Sequence, residues 1–257
     1  GKYEIGSQHH SELYFYDDTN SDVQVVSATE ANAYPGTEMR RTMALIRDES
    51  FEKPFMLDIL RVQSNTENQY DLPFYFMGQV MQASLDYEAP ATLSPLGEKN
   101  GYQHLYVEGL GQPSAASTQF LWMDNRKFYS LTSATEESDE ILFTRIGAND
   151  PEFNIRRDAA LMIRRKDTKD TLFASVVEAH GSYSPVSELA LNTNSNISAL
   201  EVVHDDDRYT ADLITEVNDE ASLFIVSNRG ASDSTRQRLK VGNKTYRWKG
   251  PYLYTEK

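Results

Sequence analysis

In the run "VVEAHG", residues 176–181, a carboxylate and an imidazole stand two positions apart, as Glu178 and His180. On a strand, such positions share a face. An acid and a histidine held together can take and return a proton. The same pair can equally serve as polar punctuation that closes a core strand and orders the loop after it. A second set occurs in "YQHLYVEG", where strand alternation puts His104, Tyr106 and Glu108 on one face and Leu105 and Val107 on the other. Tyrosine and histidine are the residue types that move protons at sugar carbons. The plain alternative is the polar outer face of a half-exposed strand.

Three basic doublets stand in an otherwise acidic chain: Arg40-Arg41, Arg156-Arg157 and Arg164-Arg165. An arginine fork grips a carboxylate bidentately, as a uronic-acid binder requires. With 39 acidic residues available, most arginines are also expected simply to pair with neighbours. His9 and His10 are adjacent, so on a strand they face opposite ways and cannot share a metal. "HDDDR", residues 204–208, lacks the spaced ligands and bend glycine of a calcium loop and reads as a solvated hairpin turn. No phosphate-binding loop, G-x-S-x-G elbow, H-E-x-x-H or dinucleotide fingerprint occurs. Local spacing alone yields no complete active site.

The elements that would position these groups read as strands. Short apolar runs alternate with turn clusters every 8 to 15 residues, the rhythm of antiparallel all-β folds. "GANDP" opens one such turn, and "NIRRDAALMIRR" is expected to be a strand in a hairpin, followed by a turn at "KDTKD". "TLFASVV" is apolar on both faces and is predicted to be a central strand between packed layers. Pro54 and Pro73 fit strand starts or edges, since neither can donate to a ladder. The last third reads as a meander with a closing hairpin at "VGNK", and in "RYTADLIT" Tyr209, Ala211 and Leu213 share a face. The expected fold class is all-β: a large antiparallel β-sandwich, with a second smaller sheet and a sub-unit break near residue 190. The aromatic content, 15 Tyr and 11 Phe, suits pleated, half-buried surfaces.

At 257 residues the chain can bury a sizeable core. Its net charge of −14 opposes nucleic acid and other polyanions at long range, screened beyond about 8–10 Å at physiological salt. No apolar run approaches the length of a membrane span. The absence of cysteine removes disulfides and thiolate sites, and suits an exported bacterial protein that does without them. The opening "GKYEIGSQHH" has neither Met nor a leader and reads as the start of a processed or excised piece.

Six segments carry a resemblance. "EANAYPGTEMRRTMALI", "PFMLDILRV", "YDLPFYFMGQV", "KNGYQHLYVEG", "GANDPEFNIRR" and "VVEAHGSY" occur in an order and at a spacing similar to those of oligoalginate lyases, polysaccharide lyase family 17. The resemblance runs from about Ser11 to "YRWKG". It implies the C-terminal heparinase II/III-like β-sandwich region of a longer enzyme, whose helical toroid comes first and whose cleft lies between the two parts. The implied chemistry is β-elimination at a uronate, leaving an unsaturated sugar, with alginate oligosaccharide as the partner. The family's catalytic residues and its zinc ligands lie upstream of the matched region, in part in a "HGHFD"-like run that this chain lacks. No catalytic residue, metal ligand or cofactor is therefore expected here, and zinc is expected in the upstream part.

Within the matched region, the loop after "EAHGSY" is the place for substrate contacts: Glu188, by loose correspondence with an acidic residue of the family, together with His180 and Tyr183. The resemblance implies a bacterial protein of the periplasm or exterior. A sandwich severed from its first strands would expose an edge, inviting a homodimer or re-association with the toroid part. Two other readings stand beside this one: a stand-alone carbohydrate-binding module, and the same domain from a glycosaminoglycan lyase.

Overall fold

In a computed structural model the chain is described over residues 9–147, 155–230 and 232–256, with backbone alone for 155–157. The turn expected at Asn149–Pro151 and the side chains of Arg156 and Arg157 lie outside the described residues. The strands in chain order are β1 (Glu12–Asp17), β2 (Val23–Tyr34), β3 (Thr37–Ile46), β4 (Phe55–Phe76), β5 (Gln79–Ala83), β6 (Tyr87–Glu88), β7 (Leu105–Gly111), β8 (Ser117–Asp124) and β9 (Lys127–Ala134). Then follow β10 (Glu140–Gly147), β11 (Ile155–Ser184), β12 (Leu189–Leu191), β13 (Ile197–Asp205), β14 (Tyr209–Glu216), β15 (Ala221–Ser227), β16 (Arg236–Val241), β17 (Lys244–Lys249) and β18 (Tyr252–Glu256). The first twelve form one sheet, β13-β14-β15-β18 form a second, and β16-β17 a hairpin. Every pairing is antiparallel. The expected all-β architecture is what is observed.

The spine is the pair β4–β11. Along residues 170–177 β11 pairs with β4, and from Ser175 it also has β9 on its other side, while β4 has β3 on its far side. Along residues 159–165, β11 lies between β4 and β10, and β4 is the sheet edge. Pro73 sits opposite Met162 on that edge, where its missing N–H costs no ladder bond. Pro54 immediately precedes β4.

The turn expected at "KDTKD" is absent. β11 runs on for 30 residues through register shifts between Arg165 and Asp170, with Asp167 at φ 54°. A bulge bends the strand instead of reversing it. The reason is the partner: β4 continues alongside with its own polar stretch, "SNTENQ", so both strands turn the corner together.

Burial follows from this bend. Ala174 and Val176 on one face of β11 join Val25, Ala44, Ile46, Leu57 and Ile59 in packing against Ile197, Leu200, Ile214 and Phe224 of the second sheet. Phe173, on the opposite face, packs with Leu131, Phe120, Ile141, Leu161 and Ile163, where the large sheet curls back on itself. "TLFASVV" is thus the expected strand between layers. On the far side of the second sheet, Tyr209, Ala211 and Leu213 share a face, as predicted, and pack on Leu239 and Tyr246 of the β16–β17 hairpin. That hairpin turns at Gly242, φ 57°, the left-handed position that "GN" supplies.

Candidate functional site

Glu178 and His180 lie at the end of the buried run of β11, and both are inside: Glu178 is 2% exposed and His180 3%. Glu178 accepts hydrogen bonds from Ser195 Oγ at 2.6 Å, from Asn196 N at 3.0 Å and from Asn196 Nδ2 at 2.5 Å. His180 Nδ1 lies 2.7 Å from the carbonyl oxygen of Asn192. A carbonyl only accepts, so Nδ1 carries a proton in this contact, and the ring's other nitrogen is Nε2. That Nε2 is buried without a partner, and the ring stacks on Phe128 at 13° and 6.5 Å. The two residues therefore clasp residues 192–196, the segment that leads from the large sheet into the second one. They sit within β11, which runs on to Ser184, and they order the segment 192–196. Between them and that loop, Gly181 is required, because a Cβ there would lie 2.0 Å from the Asn192 carbonyl oxygen.

Tyr183 and Glu188 stand on the hairpin between β11 and β12. Tyr183 pairs with Ala190, its backbone N–H donates to the Arg126 carbonyl at 2.9 Å, and its side chain is partly exposed. Glu188 is exposed at the tip with φ 52°, beside the fully presented Val186. Tyr183 and Glu188 thus share one solvent-facing hairpin, and His180 lies buried beneath its base.

The expected face of His104, Tyr106 and Glu108 is corrected. His104 ends a 3-10 turn (Tyr102–His104) ahead of β7, so strand alternation does not reach it. Tyr106 is 1% exposed. Glu108 is the extra residue of a bulge, since Phe143 faces Gly109 and Thr144 faces Val107. It pairs with Arg145 at 2.6 Å. Arg145 lies directly opposite Tyr106, so Glu108 is held on Tyr106's side of the strand by this ion pair, with its carboxylate already engaged.

A polar cluster appears where no local spacing announced it. Asp71 on β4 receives both Nε and Nη2 of Arg164, at 2.8 and 2.9 Å, and the Tyr102 hydroxyl. Hydrogen bonding to Asp71 holds the Arg164 guanidinium pKa above its ordinary value. Cavities of about 270 and 340 Å³ both have Asp71 and Tyr102 in their walls. The first adds Tyr34, Tyr70 and Asn68 over a floor of Leu60 and Phe173; the second adds His104 and Asn100. With Asp71 occupied by a guanidinium and a phenol, the cluster acts as a clamp between the 3-10 turn and the β4–β11 edge.

Among the described residues, the other arginines of the doublets are also spoken for. Arg41 grips Asp58 through Nε and Nη2, at 2.7 and 2.6 Å. Arg165, buried, grips Asp139 at 2.7 Å through both Nε and Nη2. Arg40 donates to the Asn228 carbonyl and lies over the Tyr14 ring. "HDDDR" is a hairpin turn in which Asp206 caps Arg208 and Tyr209 N–H groups. Among the described residues no three His, Asp or Glu side chains converge as metal ligands, so they do not fit a zinc site. Nor is any helix among them long and apolar enough to cross a membrane.

No protein-family model matches the chain. It is 31% identical over 253 residues to an alginate lyase of Stenotrophomonas maltophilia (strain K279a), covering 98% of this chain and 34% of that protein. It is 32% identical over 247 residues to an exo-oligoalginate lyase of Saccharophagus degradans, covering 94% of this chain and 33% of that one. The chain thus spans about a third of the length of the curated relatives it matches. Two solved structures of a heparinase III gene product, one with methylated lysines, match 85% of the chain with TM-scores of 0.50 and 0.52. They share 7% and 8% sequence identity with it, and the match takes in 28% and 27% of those chains. Identity that low makes this a likeness of fold. The resemblance to oligoalginate lyases read from the six segments is borne out.

Proposed function

As a homologue of alginate lyases along almost its whole length, the chain is, we propose, the C-terminal β-sandwich part of an alginate or oligoalginate lyase that cleaves uronate glycosidic bonds by β-elimination. The observation that carries this reading is the 31–32% identity maintained over 94–98% of the chain. In that reaction a uronate carboxylate is neutralised, the C5 proton is removed, and the 4-O bond breaks to leave a carbon–carbon double bond.

The part played by these residues is a cleft wall and a support, with the main catalytic groups and the zinc on polypeptide upstream. Two features favour it. The outer face of β1–β3 presents Leu13, Tyr16, Val26 and Leu45 to solvent, although the opposite face of the same strands is core. An apolar face of this kind calls for a covering layer, and a helical part like that implied for the longer relatives would supply one. The β11–β12 hairpin presents Tyr183 and Glu188, the expected sugar contacts, while His180 holds its base. Freedom from cysteine suits export to the periplasm or beyond.

The test is an assay on oligoalginate, following the ultraviolet absorbance of the new double bond. The parent enzyme should generate that signal and this chain alone should not. Turnover by the isolated chain at the parent's rate would place the machinery here and overturn the reading. A parent active on heparan sulfate and inert on alginate would overturn the substrate.

A further inference from the structure

The face of β14 that meets the large sheet carries Thr210, Asp212 and Ile214. Ile214 lies in the inter-sheet core, and Asp212 is opposite Val202 on β13 and Phe224 on β15. Asp212 is wholly buried, and neither of its carboxylate oxygens has a hydrogen-bond partner. An ionised carboxylate so placed is strongly disfavoured unless something pairs with it.

The charged and titratable groups around it come from several elements. On β13, Asp205 accepts the Thr210 hydroxyl at 2.7 Å and lies 3.4 Å from Arg61 Nε of β4. His204, next to it, faces Asp206 at 3.1 Å. On β3, Arg40 points its Nη1 at the Asn228 carbonyl and its guanidinium at the Tyr14 ring of β1. On the same face of β15 stand Ser222, Phe224 and Val226, none of them titratable. Glu216 occupies the far end of β14. Arg40 Nε and Tyr14 Oη are also buried without hydrogen-bond partners, and Arg61 Nε has only its 3.4 Å ion contact with Asp205. Arg61 is turned to Asp205 and Arg40 to the Asn228 carbonyl, and the like charge of Asp205 acts on Asp212.

We propose that Asp212 is a proton-dependent latch between the two sheets, packed as a neutral acid in the core, whose ionisation loosens the end of the interface that holds Arg40 and Arg61. Burial, and then Asp205, push its pKa well above the ordinary aspartate range. The sign follows by linkage. A folded-state pKa raised above the unfolded value gives stability that is fully present below the unfolded pKa and is lost as pH rises through the folded one. This latch is independent of the catalytic reading of the chain.

The experiment is urea unfolding of this chain and of Asp212→Asn from pH 4 to pH 8, with carboxyl-carbon NMR titration of the unsubstituted protein. The ratio of the two unfolding constants should change about tenfold per pH unit between the unfolded and folded pKa values of Asp212. Amide exchange in β14 and β3 should accelerate, beyond its intrinsic pH dependence, as Asp212 titrates. Three results would each overturn the latch: a constant stability difference across that range; a carboxyl that titrates with ordinary aspartates; or stability that rises with pH in the unsubstituted protein alone, which means an ionised Asp212 pairs with Arg61. If Asp212→Asn fails to fold, the NMR titration decides by itself.

Discussion

The carboxylate of Glu178 lies 3.0 Å from the backbone nitrogen of Asn196, and this contact ties β11 of the large sheet to the start of the second. With Ser195 Oγ and Asn196 Nδ2 it forms a buried staple. Hydrogen bonds to a charged group contribute about 1.5–3 kcal/mol each. Glu178→Ala should therefore destabilise the chain by about 3 kcal/mol in urea unfolding. Glu178→Gln, which keeps one acceptor, should lose about half as much. A loss under about 0.5 kcal/mol for Glu178→Ala would show that the staple is decorative.

Arg165 and Asp139 form a bidentate pair with side chains 4% and 0% exposed. Removing one partner strips the other of its bidentate ion pair, a loss of about 3–5 kcal/mol for a buried charge, softened for Arg165 by its contact with Glu136 at 3.1 Å. Arg165→Met or Asp139→Asn should each show that loss by denaturant titration. The double replacement should be less harmful than the sum of the two, because the orphaned charge goes with its partner. Simple additivity would argue against a coupled pair.

Tyr252 and Tyr254 bridge the sheets, with hydroxyls at 2.8 Å from Asp17 and 2.7 Å from Asp48. Burial first, and then hydrogen bonds to these carboxylates, raise both phenol pKa values. Raised folded values mean stability that is present below pH 10 and lost as pH climbs through the folded pKa. In an alkaline titration followed at 295 nm, these two tyrosines should ionise only with unfolding. Tyr254→Phe should delete one late-ionising group. Full ionisation of both before the fold is lost would contradict the assignment.

On the proposed function, Tyr183→Ala and Glu188→Ala should leave the stability of the chain within about 0.5 kcal/mol, since both side chains are exposed. In the parent lyase either change should raise KM for oligoalginate. Gly181→Ala acts differently: its methyl would strike the Asn192 carbonyl, and it should destabilise the hairpin base by about 1–3 kcal/mol. Unchanged kinetics in both surface variants would remove this hairpin from the substrate.

Strand identity, the β13–β14–β15 meander, the "VGNK" hairpin, the edge position of Pro73 and the doubly packed "TLFASVV" were legible in the sequence. Each rests on alternation, turn chemistry or a missing donor, and these act between residues close in the chain. Tertiary structure decided the rest. It made "KDTKD" a bulge shared with β4, ended the expected strand short of His104 with a 3-10 turn, and turned Glu178 and His180 inward onto residues 192–196. It also joined Asp71 to Tyr102 and Arg164 across 31 and 93 residues of sequence, and left Asp212 among apolar neighbours. The physical reason is register. A strand's own residues set its two-residue period, but which side chains meet, and whether a bulge shifts them, depends on the sum of contacts with every strand alongside.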